Sequence, residues 1–165
     1  MPRIGFFTRL LDEGTPAQRY RWALEQIQQA ERHGFATAWI AQHHFDADEG
    51  GLPTEWPFLG AAAQTTSRIR LGTAVVTLPH ENPVRTAEDA AVLDILADGR
   101  FEFGIAPGAS PENLEVLGYE NTNPRERFNE GLPILRDALA GKPLGKSGKV
   151  LQPLSPGLGG RMWQA

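Results

Sequence analysis

Two adjacent histidines, His43 and His44, are the residues of this chain best suited to carry chemistry. They lie in the sequence Gln42-His43-His44-Phe45, directly after an apolar run at 36–41 that has the length of a buried strand. An imidazole can take up or release a proton near neutral pH. Because successive side chains of an extended segment point to opposite faces, we expect only one of the two rings to face a site. The alternative is that both are loop histidines without a chemical role.

The acidic residues after the histidines do not have the spacing of a metal site. Asp46, Asp48 and Glu49 lack the pattern of a calcium-binding loop, and the chain contains no His-x-x-x-His sequence. There are no cysteines, which excludes disulfides, thiolate ligands and a cysteine nucleophile. We therefore predict no metal and interpret the acidic run as a solvated loop.

A run of small residues at 72–76, Gly-Thr-Ala-Val-Val, is a second candidate region. Small side chains allow a flat aromatic ligand to approach the backbone closely, although ordinary packing would explain them equally well. Arg85, Glu88 and Asp89 lie near the start of the helix that follows. The two carboxylates suit the positive end of a helix dipole there, and all three could equally be plain surface residues.

Four predicted strands alternate with four predicted helices. Apolar runs predict strands at 4–7, 36–41, 69–78 and 101–106. Three helices are predicted to begin where a capping side chain precedes a proline, at Thr15-Pro16, Asn82-Pro83 and Asn123-Pro124, and a further helix is predicted at 56–66. The third helix is expected to turn one stripe toward the core, formed by Val84, Ala87, Ala91 and Ile95.

This alternation predicts an α/β fold with a parallel sheet, either a doubly wound open sheet or a (β/α)8 TIM barrel. The glycine fingerprint of a dinucleotide-binding open sheet should follow the first strand, where Gly5 stands alone. Pro107 would remove an N–H from the similar stretch at 104–108. We therefore favour the barrel. A complete barrel needs about 250 residues, so we interpret residues 1–165 as the N-terminal half of a single barrel domain, with four βα units and the start of a fifth strand.

Composition restricts the class of protein further. The chain has 165 residues, 41% of them hydrophobic, and a formal net charge of -4 without any basic run, which argues against a nucleic-acid partner. No apolar stretch has the length of a membrane span, and the first residues do not form a signal peptide. We expect a soluble cytoplasmic protein without a membrane partner.

One long block of sequence is diagnostic beyond these patterns. Residues 70–100 read R-L-G-T-A-V-V-T-L-P-x-x-N-P-V-R-x-A-E-D-x-A-x-L-D-x-L-x-x-G-R. With shorter blocks at 4–8, 39–45 and 161–165, this segment resembles the flavin-dependent monooxygenases related to bacterial luciferase. The resemblance extends over nearly the whole chain.

The resemblance implies a (β/α)8 barrel with FMN at the mouth formed by the C-terminal ends of the strands. Reduced FMN would come from a separate flavin reductase and react with O2 to oxidise a small-molecule substrate. It implies His43 as the catalytic base, with His44 beside it, and a non-proline cis peptide at Ala74–Val75 next to the flavin, with Ala106 nearby. It also implies a homodimer through the second and third helices, where Glu88 lies.

Two departures from the luciferase pattern stand out. Gln42 replaces the glutamate that precedes the paired histidines, and Ala106-Pro107 replaces a Cys-Arg pair whose arginine binds the flavin phosphate. Proline offers that phosphate neither charge nor N–H. We therefore expect weak or no FMN binding by residues 1–165 alone. An F420-dependent hydride-transfer enzyme of the same fold and a non-catalytic flavin-binding relative stay open as alternatives.

We also expect that Ala165 is not a natural domain end. Half a barrel leaves an unpaired strand edge and exposed apolar faces, which further strands would have to cover.

Overall fold

The structure is a computed structural model that describes residues 3–108 and 110–165. Six strands form in the described part of the chain: β1 (Gly5–Thr8), β2 (Thr37–Ile40), β3 (Arg70–Thr73), β4 (Val76–Thr77), β5 (Phe101–Ala106) and β6 (Met162–Gln164). Five α-helices accompany them: α1 (Pro16–Arg32), α2 (Trp56–Thr65), α3 (Pro83–Leu96), α4 (Pro111–Val116) and α5 (Pro124–Leu139). Two short 3-10 helices lie at Leu78–His80 and Leu158–Arg161.

The predicted caps begin the helices at the expected residues. Thr15 and Gln18 form a reciprocal capping box at the start of α1. The side chains of Asn82 and Asn123 each accept two backbone N–H groups at the starts of α3 and α5. Helix α4 was not predicted, although Ser110-Pro111 begins it with the same cap-then-proline pattern.

The sheet is a run of parallel strands that corresponds to five consecutive strand positions of a barrel. β1 pairs with β2, β2 with β3, and β5 with β6, all in parallel. β3 and β4 both pair with β5, β3 through the first part of β5 and β4 through its last residues. The predicted fifth strand is therefore present as β6.

The single strand predicted at 69–78 is wrong, because the structure divides it into β3 and β4. Between them lies the Ala74–Val75 peptide bond, which is cis, as the resemblance implied. The Thr73 hydroxyl bridges the interrupted ladder by donating to the Gly104 carbonyl at 2.8 Å and accepting from the Gly104 N–H at 2.9 Å. A Cβ at Gly104 would lie 2.1 Å from the Thr73 carbonyl oxygen, so this close approach requires glycine.

The core lies between the helices and the outer face of the sheet. Phe101, Phe103 and Ile105 of β5 are fully buried in it. The predicted stripe of α3 is partly wrong: Ala87 and Ala91 are buried, but Ile95 is 47% exposed. The fully enclosed face of α3 instead includes Ala90, Leu93 and Asp94, because the helix sits between α2 and α5 and is covered on two sides.

An ion pair attaches the C-terminal segment to this core. The Arg161 guanidinium donates to both carboxylate oxygens of Asp94, at 2.7 and 2.8 Å, and the Ser155 hydroxyl bonds the same carboxylate. Arg161 also donates to the carbonyls of Gly99 and Phe101. These contacts place β6 beside β5. Over residues 3–108 and 110–165, none of the helices has the length and apolarity needed to cross a membrane.

Candidate functional site

A cavity of about 530 Å³ lies at the C-terminal ends of the strands. All five residues predicted from the sequence as catalytic or cofactor-binding line it: His43, His44, Ala74, Val75 and Ala106. This is the end of a parallel α/β sheet at which barrel enzymes place their functional groups. The structure therefore brings the two histidines and the small-residue run to one place.

His43 lies beside a carboxylate that is itself held in position. Its Nε2 is 3.8 Å from a carboxylate oxygen of Glu49, and Glu49 pairs with Arg9. The His43 backbone N–H donates to the Leu52 carbonyl at 3.0 Å. Burial and the positive charge of Arg9 lower the pKa of His43, although Asp46 opposes them. His43 is therefore neutral at pH 7 and able to accept a proton.

The interpretation of the acidic run as a solvated loop holds for Asp46 and Asp48, which are exposed, and is wrong for Glu49. Asp46 lines the cavity, and its side chain accepts the backbone N–H groups of Asp48 and Glu49. Glu49 is half-buried in its pair with Arg9. The carboxylates shape this loop because they bond its own backbone.

Both histidine rings line the cavity, so the expectation that only one would do so is wrong. The reason is that the chain leaves the extended conformation after Ile40, where β2 ends, and bends at His44 and Phe45. Phe45 has a positive φ of 57°. Alternation of side chains holds only while the segment is extended. Burial, and then the neighbouring His43, lower the pKa of His44.

A third histidine, His80, was missed in the sequence. It follows β4 at the end of the 3-10 helix Leu78–His80 and lines the same cavity. Its ring meets that of His44 edge to face, with centroids 4.8 Å apart and planes at 88°. Burial, His44 and Arg127 lower the pKa of His80 to about 4. Its position just after the third predicted strand was the signal that could have identified it.

Gln42 anchors the loop that carries the first two histidines. Its side chain is buried, donates from Nε2 to the Pro53 carbonyl at 3.1 Å and accepts the Thr77 N–H at Oε1 at 2.9 Å. An ionised glutamate has no donor for the Pro53 carbonyl. Gln42, which departs from the luciferase pattern, therefore makes a hydrogen bond to Pro53 that a glutamate at this position could not make.

Two glutamates near this edge of the sheet have raised pKa values. Glu55 is fully buried, and neither of its carboxylate oxygens has a hydrogen-bond partner in the described structure. Burial, with a smaller contribution from Glu81, raises the pKa of Glu55 to about 8. Burial, and then Asp89, raise the pKa of Glu81. Glu55 is therefore largely protonated at neutral pH.

The sequence profile of the family described as luciferase-like monooxygenase matches residues 3–162. The chain belongs to the luciferase-like monooxygenase family. Among curated relatives, limonene 1,2-monooxygenase of Rhodococcus erythropolis is 36% identical over 119 residues, which cover 72% of this chain and 30% of the relative. The chain spans about a third of the length of the curated relatives that it matches.

Solved structures of similar fold include more than one class of oxidoreductase. The monooxygenase RslO1 from Streptomyces bottropensis superposes with a TM-score of 0.80 at 26% identity, covering 90% of this chain and 46% of that one. An F420-dependent secondary alcohol dehydrogenase superposes with a TM-score of 0.70 at 25% identity, with the same coverage. The predicted fold class is therefore confirmed: the chain has an α/β fold that forms part of a TIM barrel of the luciferase-like type.

Proposed function

We propose that the protein is a flavin-dependent monooxygenase that uses reduced FMN and O2 to oxidise a small organic substrate. The observation that carries the proposal is the single cavity wall shared by His43, His44 and the Ala74–Val75 segment. The family match and the monooxygenase relatives support the reaction class. Bound reduced FMN would activate O2, and this chain would supply the groups around it.

The cavity wall fits the ring system of a flavin better than its phosphate. Ala74, Val75 and Ala106 present small side chains over which a flat tricyclic ring can lie. Of the described residues that line the cavity, none is Lys or Arg, and Pro107 beside it has neither charge nor N–H. We propose that these residues hold the isoalloxazine ring and that the phosphate binds to parts of the barrel outside this chain.

We assign the proton transfer to His43. A neutral imidazole beside an anchored carboxylate can accept a proton from the substrate, and Glu49 then stabilises the positive charge that forms. Arg9 fixes Glu49 and so limits the orientations open to His43. His44 lies deeper in the wall, where it shapes the position of the bound substrate.

Residues 1–165 serve, in this proposal, as the N-terminal half of one barrel domain. The chain covers 46% of the RslO1 structure and supplies five consecutive barrel strand positions, with β1 and β6 at the edges. Phe7 of β1 and Trp163 of β6 are more than half exposed. Further strands would cover them and complete the flavin site.

A homodimer through α2 and α3 belongs to the same proposal. Val92, Ile95 and Leu96 are each 45–49% exposed on one face of α3, one to two turns after Glu88. An apolar stripe of this kind suits a partner helix. A cytoplasmic location and a separate flavin reductase complete the proposal.

The second candidate is an F420-dependent hydride-transfer enzyme of the same fold. The structural likeness to the F420-dependent alcohol dehydrogenase favours it. The monooxygenase is preferred because its structural neighbour has the higher TM-score, 0.80 against 0.70.

One experiment separates the two candidates. The full-length protein is mixed with FMN, a flavin reductase and NADH, or with reduced F420, and screened against terpenes, aldehydes and ketones while O2 consumption and product are measured. A monooxygenase incorporates one atom of ¹⁸O2 into the product. Turnover with F420 and without O2 would reject the proposal.

A further inference from the structure

His80 is a histidine in a place where packing alone would favour an apolar residue. Its side chain is 8% exposed, and neither ring nitrogen has a hydrogen-bond partner among the described residues. A buried polar atom without a partner costs stability, so an aromatic or aliphatic residue would pack there at less cost. The ring must therefore be explained by what it contacts.

The segment that carries His80 is fixed from several sides. The Arg127 Nε donates to the Pro79 carbonyl at 2.9 Å, and the same guanidinium lies over the Tyr119 ring, 3.6 Å from its centroid. The Glu81 N–H donates to the Leu78 carbonyl and closes the turn. A residue on so restrained a backbone can hold another side chain in place.

His44 lacks the orienting partner that His43 has. Its Nε2 is buried and has no hydrogen-bond partner in the described structure, whereas the Nε2 of His43 faces Glu49. The ring of His44 meets that of His80 edge to face at 4.8 Å, and its contact with Phe45 is longer, at 5.8 Å. Phe45 is also 64% exposed. His80 is therefore the neighbour that restrains the His44 ring most closely.

We propose that His80 is a positioning residue, which holds the ring of His44 in one orientation in the cavity wall through their edge-to-face contact. The inference rests on the proposed function, in which His44 shapes the substrate site. His80 does not touch the reacting atoms in this proposal; it acts through His44.

The contact is opposed when both rings carry a charge, because two imidazolium ions at this distance repel each other. Several ionisable groups surround the His80 ring. His44 faces it from the loop at 42–55, Arg127 faces it from α5, and Glu81 follows it in the chain. His43 and Asp46 line the same cavity. A proton on His80 would add a positive charge beside His44 and Arg127. Acidification should therefore separate the rings.

The test compares His80→Phe with His80→Leu in the full-length protein. Phenylalanine keeps an aromatic ring for the edge-to-face contact and cannot be protonated, whereas leucine fills the space without a ring. We expect both variants to melt at or above the wild-type temperature, because each removes two unpartnered nitrogens. His33→Phe, at the exposed end of α1, is the matched control.

The kinetic result expected is a difference between the two variants. His80→Leu should lower kcat about 10-fold, within the range that small misplacements cause, with KM for reduced FMN unchanged. His80→Phe should keep kcat within about 2-fold and leave the acid limb of the pH profile unchanged, because protonation of His43 sets that limb. Equal losses in both variants, or wild-type kcat in His80→Leu, would overturn the proposal.

NMR of the ring protons of His44 separates this inference from the proposed function. In the ligand-free protein these signals should shift in His80→Leu, owing to the lost ring current, and broaden as the ring gains freedom. Unchanged His44 signals would refute the positioning role even if the enzyme is active. Altered signals in a protein that oxidises nothing would support the contact and reject the function.

Discussion

The Thr73 hydroxyl and the Gly104 peptide unit exchange two hydrogen bonds, at 2.8 and 2.9 Å, where β3 stops and the chain turns toward the cavity wall at Ala74 and Val75. Thr73 and Gly104 are both buried, so water cannot replace these bonds. The Thr73 side chain therefore satisfies the Gly104 N–H and carbonyl where the backbone ladder between β3 and β5 is interrupted.

Removing this bridge should destabilise the protein strongly. Thr73→Val keeps the shape and leaves the Gly104 N–H and carbonyl unpaired, so we expect a loss of about 2–4 kcal/mol in the free energy of unfolding. Thr65→Val, on an exposed site of α2, should cost about 0.5 kcal/mol or less. Urea denaturation measures both, and similar losses in the two variants would contradict the account.

The Asp94–Arg161 pair should make stability depend on acid. Burial raises the pKa of Asp94, but the hydrogen bonds from Arg161 and Ser155 and the charge of Arg161 outweigh it, so the net pKa is lowered. A lowered folded pKa gives stability that is present above the unfolded pKa and lost as pH falls through the folded value.

Arg161→Met tests that pair. The variant leaves a buried carboxylate without its cation, and we expect a loss of about 3 kcal/mol at pH 7. The loss should shrink as the pH falls, because Asp94 becomes protonated and the pair no longer contributes. Lys142→Met removes an exposed pair with Asp137 and serves as the control. A loss independent of pH would contradict the assignment to Asp94.

Glu55 should produce the opposite slope with pH. Its folded pKa of about 8 lies above the ordinary value of 4.5, so the folded state holds the proton more tightly and stability declines as pH rises from about 4.5 to about 8. Glu55→Gln should flatten this decline and melt higher at pH 8. Glu13→Gln, on the exposed loop before α1, should leave the wild-type slope intact; a wild-type slope in Glu55→Gln would show that other groups cause it.

Gln42→Glu introduces the glutamate of the luciferase pattern and should not be benign here. The carboxylate loses the donor to the Pro53 carbonyl and places a charge in a buried site, so we expect a loss of about 1–3 kcal/mol at pH 7. Gln42→Met removes both bonds without adding charge and separates the two effects. Thermal melting at pH 5 and 8 should show that the glutamate variant gains more stability in acid than the wild type and Gln42→Met, whose gain comes from Glu55.

His43→Ala in the full-length protein should lower kcat by about 10²–10⁴-fold, the usual contribution of a positioned base. Flavin affinity, measured by fluorescence quenching, should change little because the side chain is not part of the small-residue wall. In the wild type, the lowered pKa of His43 keeps the base neutral, so activity should persist somewhat below pH 6.5. Equal and small losses in His43→Ala and His44→Ala would mean that neither ring is the base.

Local signals in the sequence predicted the framework well. Cap-then-proline pairs predicted the starts of three helices at the right residues, and the apolar run at 101–106 is the strand β5. These features depend on near neighbours in the chain. The resemblance to luciferase located the cis peptide at Ala74–Val75, which no periodicity could indicate.

The errors arose where distant segments meet. The apolar run at 69–78 continues across the interruption between β3 and β4. That interruption depends on a contact between Thr73 and Gly104, which are 31 residues apart in the sequence. The contact between His44 and His80 forms only where two loops meet at the cavity, so the sequence around either residue does not predict it. The side on which Ile95 lies was misjudged because α2 and α5 both cover α3.

Four of the five helices in the described chain begin with a capping side chain followed by proline, at Thr15, Asn82, Ser110 and Asn123. Three of these helix starts, at Thr15, Asn82 and Ser110, end loops that follow strands at the C-terminal edge of the sheet, and the fourth, at Asn123, ends the connection from α4 to α5. A helix start of this kind sets the first helical turn whatever precedes it, because the cap and the ring of proline act locally. The four helix starts are therefore suitable crossover points for exchanging loops between relatives, and a chimera cut there should inherit the donor's substrate preference while keeping the recipient's barrel.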